Sequence, residues 1–460
     1  MHSVQEVMES MNMVIFGASR NPMKPGATVL LALKNTGFKG QIAGINPQGG
    51  EVHGIKLYQS LDEVPFSAEL ALFLIPPKLI PGVLTDCARR GVKGVVISSE
   101  GFAETGLEGK QYQEEIQTIL RSTGMRGFGP NTLGIINTAT GMSTSQVTSE
   151  SVMKPGSIGF ISQSGIFVGA LLHYICSLEG LNLSKGLGLG NKVDVDESDA
   201  LEYLRDDDQT RIVGMYLEDI RDGQRFLATA REVVKKKPVL LLKGGRTPAG
   251  AKAAASHTAS LAVNDSVLDG ALRQAGVIRL KGIDELIATL KGFSFMPLPR
   301  GDRIAFVTFS GAQAIMSTDA AMEEGLELAR FTEETRERVG QVIATPSKAQ
   351  NPVDIYPDMM AHGFEKTNKE ILSALLDDEG VHGIVYIAAP FLDDTFHPLL
   401  DVIKSRLNKP VFFSLLGTKE TVDPAQLFLE KNRFPTFSFP EKAVHVFAHM
   451  LRYARTIGEA

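Results

Sequence analysis

His257 stands in the run LLLKGGRTPAGAKAAASHTASLAVND, residues 241–266, among side chains too small to bury an imidazole. An Ala/Gly-rich loop has no bulky neighbours to bury the ring, which weakens the competing reading of an idle surface or satisfied core histidine. GMYLEDI ends an apolar run with Glu218. A carboxylate there orients an imidazole and favours its charged form, or is only a solvated strand end. GFISQSGIFVGALL puts Ser162, Gln163, Ser164 and Gly165 between a strand and an apolar-faced helix. Backbone N–H groups and two hydroxyls at a helix start make an anion site, and a plain helix cap is the simpler alternative. VIFGASRNPMKPG gathers Gly17, Ala18, Ser19, Arg20 and Lys24 on another strand-to-helix turn. A tight turn, a hydroxyl and two cations suit a phosphate-bearing ligand, against a plain turn with surface charges. GFGPNTLGIIN offers the amide of Asn131 within a rigid Gly-Pro turn.

Several chemistries are disfavoured. The first turn lacks GxGxxG spacing, and the next strand ends in GINPQGG with no acidic residue at its tip, which argues against a nicotinamide dinucleotide. Cys87 and Cys176 are the two cysteines, without CxxC or Cys/His ligand spacing, so neither a disulfide framework nor a metal site is expected. Net charge is −6 and no long basic block occurs, which argues against nucleic acid as a partner. Lys235-Lys236-Lys237, the densest basic run, reads as a solvated helix end. No leader pattern and no apolar run of membrane-spanning length is present, so a cytoplasmic protein with no membrane partner is expected.

These residues need a scaffold that presents strand ends. Met13–Phe16, Ile42–Ile45, Leu70–Ile75 and Val95–Ile97 read as strands alternating with helical segments, the pattern of a parallel sheet covered by helices. The polar stretch NTATGMSTSQVTSESVMKPG reads as an inter-domain connection. A second unit begins at Gly156, and FMPLPRGD separates a third. FISQSGIFVGALLHYICSLEGLNL aligns with FVTFSGAQAIMSTDAAMEEGLEL, and KPVLLLKGG with KPVFFSLLG, so the second and third units read as copies of one α/β domain. The expected boundaries are 1–147, 148–298 and 299–460.

In sequence order the chain also carries GASRNPMKPG, GINP, GVKGVVISSEGFAETG, GPNTLGIIN, KPGSIGFISQSG, GLGNKVDVDESDALEYLRDD, KKPVLLLKGGRT, SHTASLA and NPVDI. With these motifs it resembles, over nearly its whole length, the α-subunit portion of ADP-forming (NDP-forming) acyl-CoA synthetases, relatives of succinyl-CoA synthetase. The resemblance implies a Rossmann-like CoA-binding domain followed by two flavodoxin-like parallel-sheet domains. It implies coenzyme A as a substrate, bound by Gly17, Ala18, Ser19, Arg20 and Lys24 with Asn46, Pro47, Pro76 and Asn131. It makes Ser162–Gly165 the phosphate cradle, His257 the phosphorylated nucleophile and Glu218 the group that steadies it. The implied reaction interconverts acyl-CoA, phosphate and ADP with acid, CoA and ATP through an acyl phosphate.

The chain carries neither an ATP-grasp portion nor a Walker-type loop. A separate ATP-grasp β subunit holding Mg²⁺ with ADP or ATP is therefore implied, in a hetero-oligomer. The family loop reads SHTGxLAG, whereas Ala259 and Val263 stand here in place of glycines. That departure keeps open a non-catalytic, CoA-binding regulatory protein of the same fold.

Overall fold

The first seven strands are short apolar runs: β1 (Asn12–Phe16), β2 (Gln41–Ile45), β3 (Gly50–Val52), β4 (Ile55–Tyr58), β5 (Leu70–Phe73), β6 (Gly94–Ile97) and β7 (Arg126–Phe128). The computed structural model describes every residue except 1, 146–148, 166, 253–263, 344, 346–347, 357, 359–361 and 391–395. Sheet order is β3-β4-β2-β1-β5-β6-β7, parallel apart from the β3–β4 pair. β5 and β6 are buried throughout, as expected of parallel strands with helices on both faces. Because β2 lies on one side of β1 and β5 on the other, strand order reverses at β1. A crevice therefore opens at the carboxyl ends of β1 and β5. β5 stops at Phe73, two residues before its expected end. Leu74 N–H still bonds the Phe16 carbonyl at 2.9 Å, but Pro76 and Pro77 have no N–H to continue the ladder.

The second sheet consists of β8 (Ile135–Asn137), β9 (Met142–Ser143), β10 (Ile158–Ser162), β11 (Leu183–Gly188), β12 (Ile212–Leu217), β13 (Val239–Lys243) and β14 (Ile278–Leu280). Its order is β14-β13-β12-β10-β11-β8-β9, with the β8–β9 hairpin antiparallel at the β11 edge. The polar stretch expected to be a connection thus begins inside this sheet. Met142, Ser143 and Thr144 are buried, and Ile135 N–H bonds Thr144 Oγ1 at 2.8 Å. A hydroxyl-rich segment can be buried when backbone groups satisfy its hydroxyls.

The third sheet comprises β15 (Arg303–Thr308), β16 (Glu327–Leu328), β17 (Val353–Asp354), β18 (Gly383–Ala388), β19 (Val411–Leu415) and β20 (Thr436–Phe437). Its order is β16-β15-β18-β19-β20, with β17 also pairing β15. The β10–β14 core and the third sheet share one topology: the first strand is central, the second lies on one side, and three later strands lie on the other, while β17 joins β16 on its edge of β15. The chain divides into two compact units, Met1–Lys281 and Gly282–Ala460. The helix Ile283–Phe295, on the N-terminal side of the expected 298/299 boundary, packs within the C-terminal unit, where Lys291 Nζ reaches Glu430 at 2.5 Å. Among the described residues no helix is long and apolar enough to cross a membrane.

The duplication extends to single side chains. Lys237, before β13, donates to the carbonyls of Leu204 (2.6 Å) and Asp207 (2.7 Å) at the end of the helix Glu197–Asp206. Lys409, before β19, donates likewise to Leu375 (3.1 Å) and Asp378 (2.7 Å) at the end of the helix Phe364–Asp377. Each lysine satisfies carbonyls that a helix terminus leaves open. Lys237 is therefore buried, unlike the solvated end expected for its run; Lys235 and Lys236 are exposed.

Burial pushes Lys409 down to about 8 from 10.5. Between those values the unfolded chain binds more protons than the folded one, so stability rises with pH across that window. We expect the unfolding midpoint of the wild-type C-terminal unit to gain on that of Lys409→Met as pH increases from 8 towards 10.5. Parallel curves would remove this assignment.

Candidate active site

At the first switch point, Gly17 leaves β1 with φ +88°, and a Cβ there would lie 2.3 Å from the Leu74 carbonyl oxygen. Gly26, in the first turn of the helix Pro25–Asn35, lies as close to Gly17 itself: its Cβ would stand 2.1 Å from the Gly17 carbonyl oxygen. Two glycines nine residues apart thus bring strand end and helix start together, the service that GxGxxG performs over a shorter loop. Asn46 ties the second strand end to this turn, its Nδ2 donating to the Ala18 carbonyl at 2.6 Å while its Oδ1 accepts Gln48 N–H at 2.9 Å across Pro47. Arg20 is exposed and reaches Gln48 Oε1 at 3.1 Å, and exposed Lys24 is the N-cap residue of the helix. Pro76 lies three residues beyond the end of β5. The expected CoA residues Gly17–Arg20, Lys24, Asn46, Pro47 and Pro76 therefore gather at the carboxyl ends of β1, β2 and β5. Asn131 follows β7, with φ +58° and its N–H on the Ser99 carbonyl at 3.0 Å. The adjacent Pro130 carbonyl accepts Asn191 N–H at 2.9 Å, so this turn meets the segment after β11.

At the second switch point β10 and β12 end side by side. Ser162 is fully buried; its Oγ donates to the Ser164 carbonyl at 2.8 Å and accepts Ser164 N–H at 3.2 Å. Gln163 N–H bonds the Tyr216 carbonyl at 3.0 Å. Its Oε1 accepts the N–H groups of Glu218 (2.8 Å) and Asp219 (3.1 Å), and its Nε2 donates to Asp219 Oδ1 at 2.5 Å. Gln163 is thus a staple between two strand ends. Ser162 and Gln163 place these bonds inside the turn; Ser164 and Gly165 are the half-buried pair at its rim.

Glu218, half-buried, accepts Tyr216 Oη at 3.4 Å. Burial, reinforced by Glu218, raises the Tyr216 phenol to about 12, so it stays protonated as a donor. Lys243, at the end of β13 beside Leu217, donates to the Glu218 carbonyl at 2.6 Å and to the Gly244 carbonyl. Burial lowers its pKa. His257, Ala259 and Val263 lie outside the described residues. In the chain they follow β13, which pairs with β12, the strand that leads into Glu218, and they precede Asn264, whose side chain caps the helix Asp265–Gln274.

Sequence reasoning assigned no role to Lys192, Glu197, Asp219 or Lys243. Lys192 and Glu197 are fully buried and paired at 2.9 Å, and Lys192 Nζ also meets Asp219 Oδ1 at 2.5 Å. The signal was the motif GLGNKVDVDESDA, with a lysine and a glutamate five residues apart. Among the described residues no group of three or more His, Cys, Asp or Glu is arranged to hold a metal ion.

Residues 11–138 match the family model described as CoA binding domain, and residues 155–293 the one described as succinyl-CoA ligase like flavodoxin domain. Over 450 residues the chain is 34% identical to the ADP-forming acetate–CoA ligase II subunit alpha of Pyrococcus furiosus, covering 96% of each. The chain belongs to the ADP-forming acyl-CoA ligase α-subunit family. It is also 36% identical over 447 residues to the ADP-forming acetate–CoA ligase II of Archaeoglobus fulgidus, of which it spans 66%. The solved structure of the dinucleotide forming acetyl-coenzyme A synthetase 1 of Ca. Korarchaeum cryptofilum, in complex with phosphate and ADP, superposes with a TM-score of 0.92 at 29% identity, over 100% of this chain and 98% of that one. The family's fold class, a Rossmann-like CoA-binding domain followed by flavodoxin-like domains, agrees with the three sheets.

Proposed function

We propose that this chain is the α component of an ADP-forming acyl-CoA ligase that interconverts acyl-CoA, phosphate and ADP with acid, CoA and ATP. The observation that carries the reading is the second switch point. There Gln163 joins the serine turn to Glu218, and β13, paired with the strand that leads into Glu218, is the last strand before His257 in the chain. A phosphate oxygen attacks the thioester carbonyl, the C–S bond breaks, and CoA leaves as the thiolate. A neutral nitrogen of His257 then attacks the phosphorus of the acyl phosphate and the carboxylate departs, which splits one difficult transfer into two easier ones. Glu218 accepts from the far nitrogen of the ring and favours its charged form. The rim of the Ser162–Gly165 turn meets the phosphoryl charge with groups already in place.

CoA lies at the first switch point, its phosphates near Arg20 and Lys24 and the start of the helix Pro25–Asn35. Transfer from phosphohistidine to ADP takes place on a partner ATP-grasp β subunit, where Mg²⁺ accompanies the nucleotide and supplies charge neutralisation. The test is phosphate-dependent release of CoA thiol when the purified chain meets a panel of acyl-CoAs, acetyl-CoA first. Release with at least one acyl-CoA supports the reading. CoA binding without thiol release from any of them favours the regulatory alternative raised by Ala259 and Val263.

Arg20→Glu reverses one exposed charge beside the CoA turn. We expect CoA affinity by calorimetry to fall roughly tenfold and to depend less steeply on salt. Unchanged affinity would take Arg20 out of the site.

A further inference from the structure

We propose that Lys192 is the buried counter-charge that allows Asp219 to hold Gln163 beside an anion site, so that Lys192, Asp219 and Gln163 act as positioning residues for phosphate. The inference rests on the function proposed above. Asp219 contacts both partners: its Oδ1 accepts Gln163 Nε2 at 2.5 Å and meets Lys192 Nζ at 2.5 Å. Lys192 also donates to the Asp219 carbonyl at 3.2 Å and is anchored on Glu197, which accepts Arg221 N–H at 2.8 Å. The turn after β12 is therefore fixed from β10 by Gln163, from the segment after β11 by Lys192, and from the helix Glu197–Asp206 by Glu197.

The charges explain why a lysine is needed. Asp219 has a side chain 24% exposed, one residue from Glu218, at the switch point where phosphate is proposed to bind. Without a buried cation, Asp219 and Glu197 would oppose an incoming dianion across a low-dielectric wall. The third sheet supplies the contrast. Its turn keeps the same backbone, Thr308 Oγ1 donating to the Ser310 carbonyl at 3.1 Å and accepting Ser310 N–H at 3.0 Å. Yet Phe309 stands where Gln163 does, and β18 is followed by Ala389 and Pro390 in place of Glu218 and Asp219. The duplicated turn is thus present twice, and the amide and carboxylate that Lys192 supports are present once.

The experiment measures phosphate-dependent thiol release, with phosphate and acyl-CoA varied separately. Lys192→Met is expected to raise the phosphate KM about tenfold while the acyl-CoA KM stays within about twofold. Adding Asp219→Asn to that variant removes the uncompensated charge and brings the phosphate KM back towards wild type, a rescue that a merely structural pair would not give. Asp219→Asn alone is isosteric and partly exposed, so it tests the same charge even if Lys192→Met does not fold; it is expected to lower the phosphate KM about threefold. Wild-type turnover with an unchanged phosphate KM in Asp219→Asn, or a loss in Lys192→Met that the second substitution deepens, overturns the inference alone. No phosphate-dependent release by the wild-type chain overturns the functional reading together with it.

Discussion

Replacing His257 with alanine is expected to abolish acid-labile, base-stable phosphoryl labelling and to lower overall turnover by at least about 10³-fold, the scale of removing a nucleophile. CoA affinity is expected to stay within about twofold, because the CoA turn is built on a different sheet. Three features single out this histidine among the nine in the chain. Its neighbours are small enough to let an imidazole move. It follows in the chain the strand that ends at Lys243, paired in the sheet with Leu217, the residue before Glu218. Glu218 is itself held through its N–H by Gln163 and through its carbonyl by Lys243. Radiolabelling from acetyl phosphate reads the phosphoryl step without requiring CoA. Normal accumulation of label in His257→Ala would move the nucleophile elsewhere.

Gly26→Val is expected to weaken CoA binding at least about a hundredfold, or to destabilise the first domain by roughly 3 kcal/mol, the upper range of overpacking. The added Cβ would stand 2.1 Å from the Gly17 carbonyl oxygen and 3.0 Å from the Ala18 Cα, both backbone atoms that no rotamer change can move. Gly17 cannot retreat, since it already lies against the Leu74 carbonyl with φ +88°. The helix start and the strand end must therefore separate, and with them the N–H groups and cations proposed to meet the CoA phosphates. Labelling of His257 by acetyl phosphate is expected to persist in a folded Gly26→Val protein. Wild-type CoA affinity by calorimetry would place the cofactor away from this turn.

The strand ends were readable because buried parallel strands are continuous apolar runs, and the turns after them carry the polar residues. That is why Gly17–Arg20, Ser162–Gly165 and Glu218 could be picked out before any geometry. Gly26 was passed over because its partner is a carbonyl nine positions earlier, and spacing alone does not show a close approach. Gln163 read as a phosphate donor among serines, and the structure turns its amide towards Glu218 and Asp219. Lys192 and Glu197 look like surface residues in a charged motif. Their burial depends on three segments meeting at one point, which no local pattern encodes. The β8–β9 hairpin was hidden for a related reason: Thr144 is tolerated inside because Ile135 bonds its hydroxyl. Lys237 resembled its solvated neighbours until the carbonyls of Leu204 and Asp207 were seen to receive it.

The most direct test of phosphohistidine chemistry is intact-mass and fragment-ion analysis of the wild-type chain, quenched at alkaline pH after incubation with acyl-CoA and inorganic phosphate. A single added phosphoryl group, mapped to His257 and lost on acidification, is expected. An unmodified chain with every acyl-CoA tried, or a phosphoryl group mapped instead to Ser162 or Ser164, would contradict it.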